Sequence, residues 1–522
     1  MSLDRRGRLK ALGRDQRWDV LVIGGGASGL GTAVEAASRG LRTLLLERND
    51  FAHGTSSRST KLVHGGVRYL EQFNVPLVLD ALRERGTMLR NAPHLVHKLN
   101  FVVPIYSYAA FPYYGVGLKA YELLSGRLSF GKSELLSVAE TAHRMPTLKS
   151  EGLKGGILYR DGQFDDARYA ITLMRTLEDL GGIALNYAEV TGFLKRAGMI
   201  EGVSVRETEA GEDFDILARV VINATGVFTQ RVLQMDNAEE AAPLVLSQGS
   251  HFVLSKEFLS SADALMIPKT EDGRVLFAIP WHEHVLVGTT DEAVSHSSTE
   301  PRATATERAF LAGHIRKYLG RTIAKGDVLS MWSGLRPLVR KGNAATSRLS
   351  RDHQIVRSPS GLISVMGGKW TTYRKMGEDT IAIAVKVSGL SVGPSHTKDL
   401  RLHGWQEQVS PDTTESDRSY GSDLEKVEGL SAEDAELNER LHPQLPYRRR
   451  EIVWAARFEQ ARTTEDVLAR RTRALFLNAA ASLQIAPEVS RLLAKELQRD
   501  ASFRLRDLDR FREVAQGYIF EG

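Results

Sequence analysis

Three glycines, one acid and a complete lack of cysteine set the chemistry open to this 522-residue chain. Gly24, Gly26 and Gly29 stand at the first, third and sixth positions of a dinucleotide fingerprint. The first glycine makes a tight turn, the second admits a pyrophosphate to the backbone, and the third lets helix and strand pack closely. Glu47 follows at the position where a carboxylate accepts hydrogen bonds from a ribose 2′-hydroxyl, which favours FAD or NAD over NADP. With no cysteine there is no thiol nucleophile, thiolate metal site, iron–sulfur cluster or redox dithiol, so redox chemistry falls to a bound cofactor. Two cations sit where small residues let a backbone come close. Arg336 lies between Gly334 and Pro337, and Lys369 follows Gly367-Gly368. A guanidinium fork and an ammonium point charge together suit a phosphate dianion. Two other patterns carry no chemistry. His282-Glu283-His284 lacks the helical spacing of a zinc site, so no metal is expected, and Arg448-Arg449-Arg450 reads as the solvated start of a helix.

These residues need elements to hold them. Residues 19–23 read as one strand, apolar from Val20 onward, as a parallel strand buried on both faces requires, and 30–38 continue as an alanine-rich helix stopped by Gly40. Residues 42–46 make the second strand, ending at Glu47. Far along the chain, 220–222 is another apolar strand leading into Asn223-Ala224-Thr225-Gly226. The C-terminal part reads as helices: 449–461, one capped by Thr463 with Asp466, and one with Pro487 in its first turn.

Composition fixes the class. At 42% hydrophobic and 25% charged, the chain is globular and long enough for more than one domain. The net charge of +5 is largely local. Residues 1–17 carry six basic and two acidic side chains and read as a basic tail, whereas 401–522 hold 19 basic against 22 acidic. Neither large block reads as a nucleic-acid binder. The run at 20–34 is too short and too glycine-rich to span a bilayer, and the tail lacks the apolar run of a secretory signal, so a cytoplasmic protein is expected. Residues 101–124 concentrate Phe101, Tyr106, Tyr108, Phe111, Tyr113, Tyr114 and Tyr121, a pattern that suits an interfacial membrane anchor or an aromatic core equally well.

The segment from Thr55 to Leu70, TSSRSTKLVHGGVRYL, resembles the signature of FAD-dependent, quinone-linked glycerol-3-phosphate dehydrogenases, within the D-amino-acid-oxidase-like flavoproteins. Further blocks match in order: Gly249-Ser250-His251, Ile279-Pro280-Trp281, Gly288-Thr289-Thr290-Asp291, SGLRPL from Ser333, and GGKWTTYR from Gly367. The match covers about residues 18–385 and, more weakly, 447–480. The resemblance implies an α/β fold in which a two-dinucleotide-binding, Rossmann-like FAD domain is interleaved with an antiparallel-sheet substrate domain over 18–400. An acidic linker and first helix at 401–445 and a small all-helical C-terminal domain at 446–522 follow. Ser56 and Ser57 would reach the FAD pyrophosphate or ribityl chain, Thr225 and Gly226 the adenine end, and Gly367, Gly368 and Thr371 would open a helix facing the flavin. Arg68, Tyr69, His251, Arg336, Arg351 and Lys369 would surround the substrate, with His251 either the catalytic base or a structural hydrogen-bond partner, and Lys369 or Arg336 stabilising a developing alkoxide. The expected reaction is oxidation of glycerol 3-phosphate to dihydroxyacetone phosphate. Electrons pass to a membrane quinone at the inner face of the cytoplasmic membrane, to which the protein attaches peripherally. The C-terminal helices, with the arginines around Arg470, would serve a domain interface or a homodimer, or rest on anionic lipid. Gln248 departs from the family, which often has lysine there. An FAD oxidase of glycerol 3-phosphate, an amine or a hydroxy acid is the alternative within the class, and a non-catalytic flavin-binding or tRNA-modifying protein the alternative outside it.

Overall fold

The computed structural model describes residues 5–12, 17–66, 75–126, 130–271, 273–340, 352–407, 410 and 413–522. Two sheets organise the chain. In the first, Trp18–Ile23 lies between Thr43–Leu46 and Glu212–Asn223, parallel to both; Ile183–Leu185 extends one side and Ile363–Gly367 the other, with His353–Arg357 as an antiparallel edge. Leu21, Leu44 and Val221 face one core and Val20, Leu45 and Ile222 the other, so these strands bury apolar residues on both faces, as expected for a parallel sheet covered on both sides.

The second sheet has ten strands and is antiparallel except where Ala264–Ile267 runs parallel to Val96–Ile105. Its longest pairing joins Leu244–Ser255 to Val328–Val339 at one end of the sheet. The C-terminal helices do not stand apart from it. Phe476, Leu468 and Trp454 share one core with Trp281, Trp332 and Phe101 of this sheet.

Several local expectations change. The basic N-terminal segment is docked: Arg5–Lys10 is helical, Arg5 pairs with Glu207 and Arg8 with Glu178. Pro487 lies inside the helix Ala479–Leu497, not in its first turn. The aromatic segment divides. Phe101 is buried in the strand Val96–Ile105, whereas Tyr108 (71% exposed), Tyr113, Val116 and Leu123 stand outside the core on or beside the helix Ala110–Ser125. Among the described residues no helix is long and apolar enough to cross a membrane.

Candidate functional site

The strand Trp18–Ile23 turns at Gly24, whose φ of +110° is strained for any side chain, and the helix Ala27–Ser38 starts at once. A β-carbon on Gly29 would lie 1.8 Å from the Gly24 carbonyl oxygen, so only glycine lets helix and turn meet this closely. Glu47 closes the turn from the next strand. Its carboxylate accepts from the Gly25 amide at 2.7 Å and the Asn49 amide at 2.8 Å. Burial pushes its pKa upward against those two hydrogen bonds. Ser56 anchors the opposite wall, its hydroxyl accepting from the Ala27 amide at 2.9 Å. Gly24, Gly26, Glu47, Ser56, Thr225, Gly226, Gly367 and Gly368 all line one elongated cavity. Gly29 shapes it from behind. Ser57 does not line it: the 3-10 turn Thr55–Ser57 rotates its side chain inward, where the hydroxyl donates to the Gly54 carbonyl.

A second cavity opens from the first, sharing Thr55, Pro337, Gly368, Lys369 and Trp370 with it. Thr371 lines this second cavity, in the turn Trp370–Thr372 that leads into the helix Tyr373–Ser388. His251 and Arg336 reach it from the paired strands Leu244–Ser255 and Val328–Val339, where His251 faces Trp332, Gly249 faces Gly334 and Ser247 faces Arg336. The glycines make the room. A β-carbon on Gly249 would fall 2.1 Å from an Arg336 guanidinium nitrogen, and one on Gly288 2.2 Å from the His251 ring. Arg336 therefore lies across Gly249, donating to the Thr289 hydroxyl at 2.8 Å, with Asp291 at 3.9 Å.

His251 is buried, hydrogen-bonded at Nε2 to the Thr60 hydroxyl (3.0 Å), and stacked on Trp332 with ring centres 4.1 Å apart. Burial, with Lys61 and Arg336 adding repulsion, holds its pKa well below the ordinary histidine value. The ring is therefore neutral at neutral pH. Arg68, Tyr69 and Arg351 lie outside the described residues. Sequence reasoning assigned no role to Arg58, Thr60, Arg274, Thr289 or Thr290, which also line the second cavity. Arg58, Thr60, Thr289 and Thr290 stood inside matched blocks, which was the available signal. Gln248 is turned away from the cavity, donating to Glu307 and the Arg302 carbonyl, so a cation there is not missed.

The other expected patterns resolve structurally. His282 caps a hairpin and faces Asp165 and Glu415, while His284 bonds the His282 carbonyl. Among the described residues His53, Glu300 and Glu465 converge, yet Arg58 and Arg470 already pair with the two carboxylates. Arg470, Arg471 and Arg473 are buried, bound to Asp50, Asp466 and Asp166, and do not meet lipid.

A model for FAD dependent oxidoreductases matches residues 19–374, and one for the C-terminal domain of alpha-glycerophosphate oxidase matches 395–504. The mitochondrial glycerol-3-phosphate dehydrogenase of Bos taurus is 38% identical over 98% of this chain and 74% of its own length. This chain belongs to the FAD-dependent glycerol-3-phosphate dehydrogenase family. Another member of that family, from Arabidopsis thaliana, is 36% identical over 96% of this chain and 86% of its own. Among solved structures, the glycerol-3-phosphate dehydrogenase from Bacillus halodurans complexed with FAD superposes with a TM-score of 0.82 at 28% identity, covering 99% of this chain and 98% of that one. Family membership makes the chain an FAD enzyme, and the first cavity fits the cofactor: a helix start at the glycine turn for phosphates and an acid for the ribose.

Proposed function

We propose that this chain oxidises sn-glycerol 3-phosphate to dihydroxyacetone phosphate and delivers the electrons to a membrane quinone. The observation that carries the reading is Arg336, laid across Gly249 in a cavity that shares Lys369 with the cofactor cavity. A dianion held there by guanidinium and ammonium sets the rest of a three-carbon polyol beside His251. FAD, held by the glycine turn, Glu47, Ser56, Thr225, Gly226, Gly367 and Gly368, would supply the hydride acceptor. The neutral His251 imidazole has a lone pair for the substrate hydroxyl proton, and Lys369 stabilises negative charge developing on that oxygen while Arg336 holds the phosphate. Arg68, Tyr69 and Arg351 are proposed to complete the substrate shell, and Thr371 to line it.

Attachment to the inner face of the cytoplasmic membrane is proposed through the helix Ala110–Ser125. It exposes Tyr113, Val116 and Leu123, an apolar surface that suits the interfacial layer of a membrane, with Lys119 beside them paired to Glu122. The deciding experiment is anaerobic addition of glycerol 3-phosphate to purified holoprotein while flavin absorbance is followed. Bleaching, with reoxidation faster by a soluble quinone than by oxygen, is expected. A flavin left oxidised refutes the substrate, and faster reoxidation by oxygen makes the protein an oxidase.

A further inference from the structure

Lys61 lines neither cavity and is fully buried, with 0% exposure. Its ammonium donates to the Ser57 carbonyl and to Asp166, both at 2.8 Å, and stands 4.6 Å from the centre of the Trp332 ring. Trp332 is the same indole on which His251 stacks, with the two rings inclined by 20°. One aromatic plate thus touches both a buried cation and the imidazole that faces the substrate. An ammonium is costly to bury, and a well-packed apolar side chain would fill this space without that cost. Asp166 also accepts from Ser59, so the anion is fixed from the segment that presents Thr60 to His251.

We propose that Lys61 is a positioning residue for the dehydrogenation: its ammonium, anchored on Asp166 and packed on Trp332, keeps the His251 imidazole neutral and fixed toward the substrate. The charged groups around the pair are few. The helix Asp166–Asp179 and its cap contribute Asp166 and Asp165, the C-terminal region Arg473, and the strand Val328–Val339 contributes Arg336. Burial, opposed by Asp166, draws the ammonium down to about 7, so the charge depends on that carboxylate. The inference rests on His251 meeting the substrate hydroxyl as proposed above.

The test measures the limiting rate of flavin reduction by saturating glycerol 3-phosphate between roughly pH 5.5 and 9, alongside FAD content and melting temperature. In Lys61→Met and Lys61→Gln the acidic limb is expected to rise by about one pH unit. On the acidic side of both limbs the variants then run up to about tenfold below the wild type at equal pH, each rate taken relative to its own plateau. Lys61→Arg, which keeps the charge, restores the wild-type profile. A packing role alone would lower rates at every pH and leave the limb in place, and that result overturns the inference. So does failure of both neutral variants to assemble with FAD while Lys61→Arg assembles, which makes the cation a folding requirement. A wild type that glycerol 3-phosphate does not reduce refutes the proposed function instead.

Discussion

Arg336→Ala removes the guanidinium that lies across Gly249. In the protein without substrate that group donates to Thr289 and stands 3.9 Å from Asp291, only 20% exposed. A phosphate dianion arriving there replaces a hydroxyl contact and a loose ion pair with charged hydrogen bonds, each contributing about 1.5–3 kcal/mol net. Losing one such bond weakens substrate binding roughly ten- to 150-fold. The contact is made equally to bound substrate and to the transition state, so KM rises and kcat changes little. Arg336 also repels charge on His251, so the comparison belongs near pH 8, where the imidazole is neutral in both proteins. Stopped-flow flavin reduction across a range of glycerol 3-phosphate concentrations separates the dissociation constant from the limiting rate. Arg336→Lys, which keeps charge without the fork, should fall between the two. A dissociation constant within about twofold of wild type for Arg336→Ala would remove Arg336 from the phosphate site.

Three further outcomes are expected. Glu47→Gln puts an amide nitrogen where a carboxylate oxygen accepts from Gly25 or Asn49, and FAD should bind about tenfold more weakly, measured by flavin release on dilution. Glu451 is buried, and burial, with Asp417 adding, pushes its pKa to about 8. The folded state then keeps a proton that the unfolded chain loses above its ordinary value of 4.5, so this group subtracts stability progressively from there up to pH 8. Glu451→Gln should melt with the wild type near pH 4.5 and above it at pH 8; equal melting temperatures at pH 8 would show the carboxyl to be ionised. Replacing Tyr113, Val116 and Leu123 together by serine should abolish flotation with vesicles containing anionic lipid while anaerobic flavin reduction is retained.

What the sequence disclosed was local or periodic. The glycine turn, Glu47 and the flanking strands follow from spacing within one βαβ unit. Arg336 and Lys369 were marked by the small residues that give them room. Side-chain direction within a tight turn was not legible, and Ser56 and Ser57 diverge for that reason. Nor was the burial of Arg470 and Arg471, because their partner Asp50 lies at the other end of the chain. The same distance hid Lys61, whose meaning depends on Asp166 and Trp332. The aromatic segment was ambiguous in composition because it serves both purposes, a core strand followed by an exposed helix.

The strand order of the first sheet sets a timetable for synthesis. Trp18–Ile23 is made before either of its neighbours, one of which is Glu212–Asn223, and that strand's own neighbour is Ile363–Gly367. The cofactor cavity takes wall residues from Ile23 to Met376. A nascent chain therefore cannot complete that cavity until Met376 has been made, and the strand Trp18–Ile23 has to wait, unpaired on one edge, for a partner that arrives late. Closing such long loops is slow, and an open strand edge invites aggregation. FAD thus acts as a late clamp on an already assembled sheet, so that flavin supply during expression governs how much of the finished chain survives more than how fast it folds.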